Sequence, residues 1–461
     1  MKLRKIQREA FEYCQNVPHP ALFCTQRTGK ALITLKDVIY NNAFPALIMA
    51  PLTTLYGWAE DLQKLGFTEK DYSVIVGTKK QKQKLIKEKR FILTNKEFFV
   101  SIPELITIID FKSVVLDEST SIKNPPKFNK KTKKYSPAIT KFYLKHFRNV
   151  KRRYILSGTP MDNHELDIYC QLQFLNPNIF KQKSFWEFRA YYFYESWKYT
   201  WKLKGNRQAE FYQRLKDNCH FVTLSDVRKS IGKGELKTER IVRTFKLKPK
   251  IRKIYDTLKQ DFIVTMDQEN LFGIQFVLQQ LVYLRKICSG FLTLNPETKE
   301  TKLIDFSKYE LLESIINNEI PDYKVIILCN FYDEIYQIEK ILQRNARNFR
   351  IISGRTKTED RGKAISDFQS GKIQYILANT KCLEFGATLS SADLTLEFSS
   401  VLGNITKNQV EKRGTCIYED DKIPIMHLVC EDTIENYFYK KIEDQDNRQK
   451  FIEGLLNYVK E

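Results

Sequence analysis

A chain of 461 residues, 42% of them hydrophobic, is too long for one ordinary core and implies two or three domains of about 150 to 200 residues each. Seventy-six lysines and arginines against 55 acids leave a formal charge of +21, which attracts a polyanion over long range and puts nucleic acid first among partners. The nine cysteines show no close pairs and no matching histidines, which argues against a zinc site or a disulfide framework. The N-terminus lacks the apolar stretch of a secretory signal, and no run approaches the ~18 apolar residues of a membrane span. The expectation is a soluble, monomeric protein of the cytoplasm, the host's if the chain is viral, with no membrane partner.

In chain order, Cys24-Thr25-Gln26-Arg27-Thr28-Gly29-Lys30-Ala31 opens a helix that continues through Leu32, Ile33 and Leu35. Short apolar runs follow at 46–50, 73–76, 91–94, 113–116 and 154–156, separated by helical patterns. A basic run at 123–153 is either a solvated loop or an edge that tracks phosphates. From about 162 to 300 the pattern is helical, aromatic and basic, with ten aromatics between 185 and 201 that either pack an insertion or stack on bases. Lysine-rich 224–250, with Gly232 and Gly234, reads as a flexible crossing. A second series of runs lies at 324–329, 349–352, 374–378, 394–397 and 425–429, and 333–342 places Ile335, Ile338, Ile341 and Leu342 on one helical face. Strands alternating with such helices imply parallel sheets. The fold class is α/β in two lobes, divided as 1–161, an insertion and linker at 162–300, and 301–461.

Three segments carry chemistry. Gly29 lets main-chain N–H groups approach a phosphate, the helix start favours negative charge, and Lys30 reaches the outer phosphate oxygens. Some 87 residues later the apolar run Ser113-Val114-Val115-Leu116 ends at Asp117-Glu118, placing two acids just beyond a buried strand, where ligands of parallel sheets bind. Together they are the two halves of a nucleoside-triphosphate site, a phosphate cradle and a carboxylate for Mg²⁺. Ser157-Gly158-Thr159-Pro160 again follows an apolar run and offers small hydroxyls that report the nucleotide state.

In this order the segments resemble a superfamily-two helicase motor, specifically the Swi/Snf-type branch of DNA translocases. Ser157-Gly158-Thr159-Pro160-Met161-Asp162-Asn163, then Glu165-Leu166 and Phe174-Leu175-Asn176-Pro177, is similar to that branch's extended third motif. Leu284-Arg285-Lys286-Ile287-Cys288 resembles its second-lobe entry. Gly354, Arg361, Phe368, Thr380, Gly386 and Ser391-Ala392-Asp393 resemble the fourth and fifth motifs, and Gln409 with Arg413 the sixth.

The resemblance implies two RecA-like lobes using ATP and Mg²⁺. It assigns Gln7 to adenine, Arg27, Thr28, Gly29, Lys30, Ala31 and Gly386 to the nucleotide, and Asp117 to Mg²⁺, through water. Glu118 activates the attacking water, and Gln409 belongs to the catalytic set. Arg413 is the arginine finger, a group worth about 10³ to 10⁵ in rate, so ATP binding becomes a mechanical event when the lobes close. Ser157 and Thr159 couple, and Thr53, Thr54, Thr94, Asn95, Asn330 and Thr380 grip DNA phosphates without reading bases.

Three departures stand out: Ala31 replaces a Mg²⁺-binding hydroxyl that Thr28 or Thr34 would have to supply, Thr120 replaces His or Gln, and Cys416 replaces a second arginine. The expected activity is ATP-dependent translocation on duplex, forked or branched DNA, with fork or branch migration in replication, recombination or repair. No chromodomain-like, bromodomain-like or zinc appendage is visible, as in compact bacterial and bacteriophage forms. A nucleic-acid clamp that binds ATP with little hydrolysis and an RNA helicase are the alternatives.

Overall fold

The computed structural model describes residues 3–52, 54–76, 89–102, 109–129, 134–161, 164–197, 200–268, 274–295, 297–298, 300–383, 389–399 and 422–440. The chain divides into two compact units, Met1–Glu235 and Leu236–Glu461. The boundary falls inside 224–250. No described helix is long and apolar enough to cross a membrane.

In the first unit the strands are β1 Ala21–Cys24, β2 Ala46–Ala50, β3 Tyr72–Ile75, β4 Phe91–Asn95, β5 Ser113–Asp117, β6 Lys127–Asn129, β7 Lys134–Ser136, β8 Arg152–Leu156, β9 Phe193–Trp197, β10 Thr200–Leu203 and β11 His220–Val222. Seven form one sheet in the order β11-β1-β8-β5-β2-β4-β3, and every neighbouring pair is parallel. Strands β1, β2 and β4 are buried at every position. A parallel sheet covered on both faces requires that, and it is why these strands read as unbroken apolar runs.

Two arginines at the start of β8 anchor this sheet to its helices. Asp37, on the helix Lys30–Tyr40, is fully buried and accepts from Arg152 Nε at 2.9 Å, Arg152 Nη2 at 2.6 Å and the Tyr154 hydroxyl at 2.6 Å. Arg153 donates to the carbonyls of Phe174, Leu175, Arg148 and Val150, which fixes the end of the helix Ile168–Leu175 to the sheet. Its burial lowers the guanidinium to about 10.

The aromatic stretch at 185–201 is mostly core. Phe188, Tyr192 and Phe193 are buried and join Tyr169, Phe180 and Phe211 in the first unit's main cluster. Phe180 stacks on Phe211 with ring centroids 5.7 Å apart. Trp186 and Tyr194 stay about half exposed, at 49% and 47%. The region is also less helical than its pattern predicts, because β9 and β10 form an antiparallel hairpin and β11 joins the sheet edge.

The second unit contains β12 Lys237–Phe245, β13 Phe291–Asn295, β14 Glu300–Leu303, β15 Val325–Cys329, β16 Phe349–Ile352, β17 Tyr375–Asn379, β18 Leu394–Glu397 and β19 Lys422–Cys430. Six of them form a second parallel sheet in the order β12-β19-β18-β15-β17-β16. The helix Tyr332–Arg344 buries Ile335, Ile338, Ile341 and Leu342, the face that its spacing predicts. The flexible crossing expected at 224–250 is instead a helix, Leu224–Ser230, followed by β12, which pairs with β19 over nine residues. At the sheet edge its lysines and arginines stay wet, so a strand there needs little apolar sequence. Among the described residues of this unit a buried ion pair joins Lys308 to Glu435 at 2.6 Å, and His427 Nδ1 lies 3.1 Å from the Glu397 carboxylate.

Asp37→Ala leaves the Arg152 guanidinium without its partner, so the first unit is expected to lose about 3–5 kcal/mol in urea unfolding. His19 is held neutral to about 4, from an ordinary 6.5, by burial and by the charges of Arg153 and Arg152. Its unfolded form binds the proton first, so the stability it contributes is complete above pH 6.5 and is lost as pH falls toward 4. His19→Gln should flatten the difference in unfolding midpoint between those two pH values relative to the native chain.

Candidate nucleotide site

The sheet order of the first unit sets β1, β8, β5, β2 and β4 side by side, so the loops that leave their carboxyl ends form one row. Leu22 and Asp117 are both register partners of Leu156. At about 4.8 Å per strand spacing, β1 and β5 stand roughly 10 Å apart with β8 between them. The lysine loop, the Ser157 loop and the acidic pair are therefore neighbours, although together they are spread over more than a hundred residues of chain.

After β1 the backbone turns through two left-handed residues, Arg27 at φ +64° and Gly29 at φ +82°. A Cβ on Gly29 would stand 2.5 Å from Gln7 Nε2. That amide donates to the Thr28 carbonyl at 2.9 Å, and Gln7 Oε1 accepts from Arg4 N at 3.0 Å, which packs the helix Lys5–Asn16 against the loop. Lys30 opens its eleven-residue helix and turns its ammonium back across the loop to the carbonyls of Cys24 at 2.7 Å and Thr25 at 3.2 Å. Both candidate substitutes for the hydroxyl missing at Ala31 donate to main-chain carbonyls. Thr28 Oγ1 donates to Thr25 O at 2.8 Å, and Thr34 Oγ1 to Lys30 O at 2.9 Å, both from buried side chains.

At the end of β5 the Asp117 carboxylate is fixed from both sides. Trp58 Nε1 donates to Oδ2 at 3.0 Å, and the Glu118 N–H to Oδ1 at 3.0 Å. Glu118 takes a left-handed backbone, φ +48°, which costs a residue with a Cβ about 1–2 kcal/mol. Its carbonyl accepts from the buried Lys96 ammonium at 2.7 Å, and the Tyr143 hydroxyl donates to Lys96 O at 2.7 Å. Burial lowers the Lys96 pKa against the opposing pull of Glu118, Asp117 and Glu97. Thr120 sits in the single 3-10 turn Ser119–Ile122.

Ser157 is fully buried, and its hydroxyl accepts from Thr159 N at 3.1 Å. Between the acidic loop and this one stands Gln171. Its Oε1 accepts from Ser119 Oγ at 2.6 Å, while its Nε2 donates to Pro160 O at 2.6 Å and Asp167 O at 2.8 Å.

Trp58, Lys96 and Gln171 all escaped the sequence reading. The signal was a polar residue among apolar ones: Lys96 closes a buried strand, and Gln171 interrupts Ile-Tyr-Cys-Gln-Leu-Gln-Phe-Leu in a helix buried at nearly every position. Trp58 looks like any apolar residue of its helix.

Among the expected nucleic-acid residues, Thr94 is buried with Oγ1 directed to Ile75 O at 3.4 Å, and Thr380 is buried with Oγ1 donating to Cys329 O at 3.1 Å. Asn95 donates to Glu97 at 2.8 Å, Thr54 to Pro51 O at 2.9 Å, and Asn330 to Ser399 O at 2.8 Å. Asn330 N, Phe331 N, Ser289 Oγ and Ser399 Oγ all donate to Glu334, whose carboxyl is raised by burial. Thr53, Gly386, Gln409, Arg413 and Cys416 lie outside the described residues.

The sequence matches the SNF2-related domain over residues 5–290, well over half of its length. The chain belongs to the SNF2-related family. A helicase conserved C-terminal domain follows over residues 307–414, which makes this SNF2-family chain an ATP-dependent helicase or translocase core. Among its relatives, the nuclear protein STH1/NPS1 of Saccharomyces cerevisiae is 21% identical over 89% of the chain and 31% of that protein. An uncharacterized ATP-dependent helicase of Mycoplasma genitalium is 23% identical over 93% of the chain and 39% of its own length. The chain thus spans between about a third and two fifths of these two relatives. The Pyrococcus furiosus Hef helicase domain shares the fold, with a TM-score of 0.51 at 13% identity over 95% of this chain and 98% of that one.

Because Gly29 combines a left-handed backbone with a close neighbour, Gly29→Ala should destabilise the first unit by about 1–2 kcal/mol and displace Gln7. Denaturation together with titration of a fluorescent ATP analogue checks both, and unchanged analogue affinity would show that the cradle tolerates the methyl group.

Proposed function

We propose that this SNF2-family core couples ATP hydrolysis to movement along DNA. One observation carries the reading: the Lys30 loop, the Ser157 loop and Asp117-Glu118 leave three adjacent strands of one sheet. The donor set suits a metal-bound triphosphate. A helix start and Lys30 supply positive potential, Asp117 is a carboxylate fixed by two donors, and Gln7 lies against the loop beside Gly29. Lys30 would hold the phosphates, Asp117 the Mg²⁺, which when bound neutralises phosphate charge, and Glu118 would orient the attacking water. Arg413 and Gln409 complete the catalytic set by resemblance, and Arg27, Ala31 and Gly386 line the nucleotide. Residues 1–161 and 301–461 would be the two motor lobes, with 162–300 as insertion and linker.

The charge of +21 favours DNA as the track, and the absence of any base-reading element in the family motifs suits a motor that crosses every sequence. The names of yeast relatives, such as the transcription regulatory protein SNF2, support a DNA substrate for this chain as well. Duplex or branched DNA, acted on by a monomer during replication, recombination or repair in the cytoplasm of a bacterium or of a phage-infected cell, is the fullest form of the proposal.

A second reading has its own support. With Ala31 where the resembled family has a hydroxyl, Mg²⁺ would lack the protein ligand at that position, which favours a clamp that binds ATP and hydrolyses it slowly. Phosphate release with and without DNA, and with RNA of equal length, separates the readings. DNA-stimulated turnover that falls at least a hundredfold in Lys30→Ala and Glu118→Gln is expected. Turnover at background with intact DNA binding would leave the clamp, and equal stimulation by RNA would remove the DNA preference.

A further inference from the structure

We infer that Gln171 is a positioning residue that ties the acidic loop to the Ser157 loop, so that a change at Asp117-Glu118 is passed to residues 157–161. The inference rests on the nucleotide site proposed above and names a device that none of its motifs contains.

Ser119 and Gln171 are both fully buried, and every polar atom of the Gln171 amide is engaged. Ser119 follows Glu118 directly, and Pro160 ends the Ser157-Gly158-Thr159-Pro160 turn. The amide therefore reads one loop with its oxygen and the other with its nitrogen. Hydrogen bonds of 2.6 Å at both ends are directional, so a shift of Ser119 by a fraction of an ångström must strain, move or break the bond to Pro160 O.

The element that carries the amide is held still. Arg153 clamps the end of the helix Ile168–Leu175 to β8, and a second link ties the start of that helix to the acidic loop: Lys123 and Asp167 pair at 3.2 Å with side chains only 18% and 14% exposed. An anchored amide transmits displacement, whereas one on a loose loop absorbs it.

Packing alone gives no reason for this residue. Leucine would fill a similar volume in a helix whose neighbours are nearly all buried, without desolvating an amide. A local rule broken inside a core marks a functional constraint.

The test uses Ser119→Ala/Gln171→Leu in the full chain, which replaces both members of the Ser119–Gln171 bond by apolar groups and withdraws the amide donor from the Pro160 and Asp167 carbonyls, at a cost of about 1–3 kcal/mol in stability. Hydrogen exchange at residues 157–161 is followed with and without a non-hydrolysable ATP analogue, alongside the KM for ATP and the ratio of DNA-stimulated to unstimulated phosphate release. In the native chain the analogue should alter protection of 157–161. In the folded double variant that response should vanish and the stimulation ratio should fall at least tenfold, with the KM within about twofold. A response that persists in the variant, or a native chain in which the analogue leaves 157–161 unchanged, overturns the inference. If DNA stimulates neither protein while the exchange response is present in one and lost in the other, the DNA reading fails and the link stands. Should the double variant not fold, Ser119→Ala alone removes one donor and carries the same comparison.

Discussion

Parallel pairing is the constraint from which the rest of the site follows. A strand that runs parallel to its neighbour must be reached by a crossover, so every strand of the first sheet enters from one edge and leaves at the other. Burial on both faces then bars polar groups from the strand interiors and pushes them to the leaving edge. Lys30, Asp117, Glu118 and Ser157 come together there because the sheet has nowhere else to put them. The second unit obeys the same rule, with Asn330, Asn379 and Glu397 at or just past the ends of β15, β17 and β18.

The leaving edge carries strained backbone that side chains from other elements hold in place. The left-handed turns at Arg27 and Glu118 each cost free energy, and each is flanked by a bond from a distant element, Gln7 to the first loop and Lys96 to the second. Arg152 and Arg153, consecutive in sequence, point to opposite sides of β8 as strand geometry demands, and so fix one helix on each face of the sheet. The precision of the edge is borrowed from these anchors.

The parallel strands were legible because doubly buried strands are apolar without interruption. The runs at 46–50 and 394–397 coincide with β2 and β18, both buried at every position. Strands β11 and β12 were not legible, since edge strands keep one side wet and lose that signature. The lysine loop, the acidic pair and the serine turn could be read because their chemistry depends on short local spacing. Trp58, Lys96 and Gln171 could not, because each acts across 11 to 59 positions of chain on a partner that only folding supplies. The aromatic stretch shows the remaining ambiguity: its composition suits both a core and a stacking platform, and only the packing of Phe188, Tyr192 and Phe193 decides between them.

The inward turn of Lys30 has a consequence for fuel entry. Its ammonium satisfies two carbonyls of its own loop, so in the site proposed above an incoming anion would gain the lysine only by displacing them. Bonds of that charged kind are worth about 1.5–3 kcal/mol each, so the exchange returns much less than a free lysine would give. Affinity for the anion would thereby be traded for a loop that holds its own shape, and spent nucleotide would face a built-in competitor.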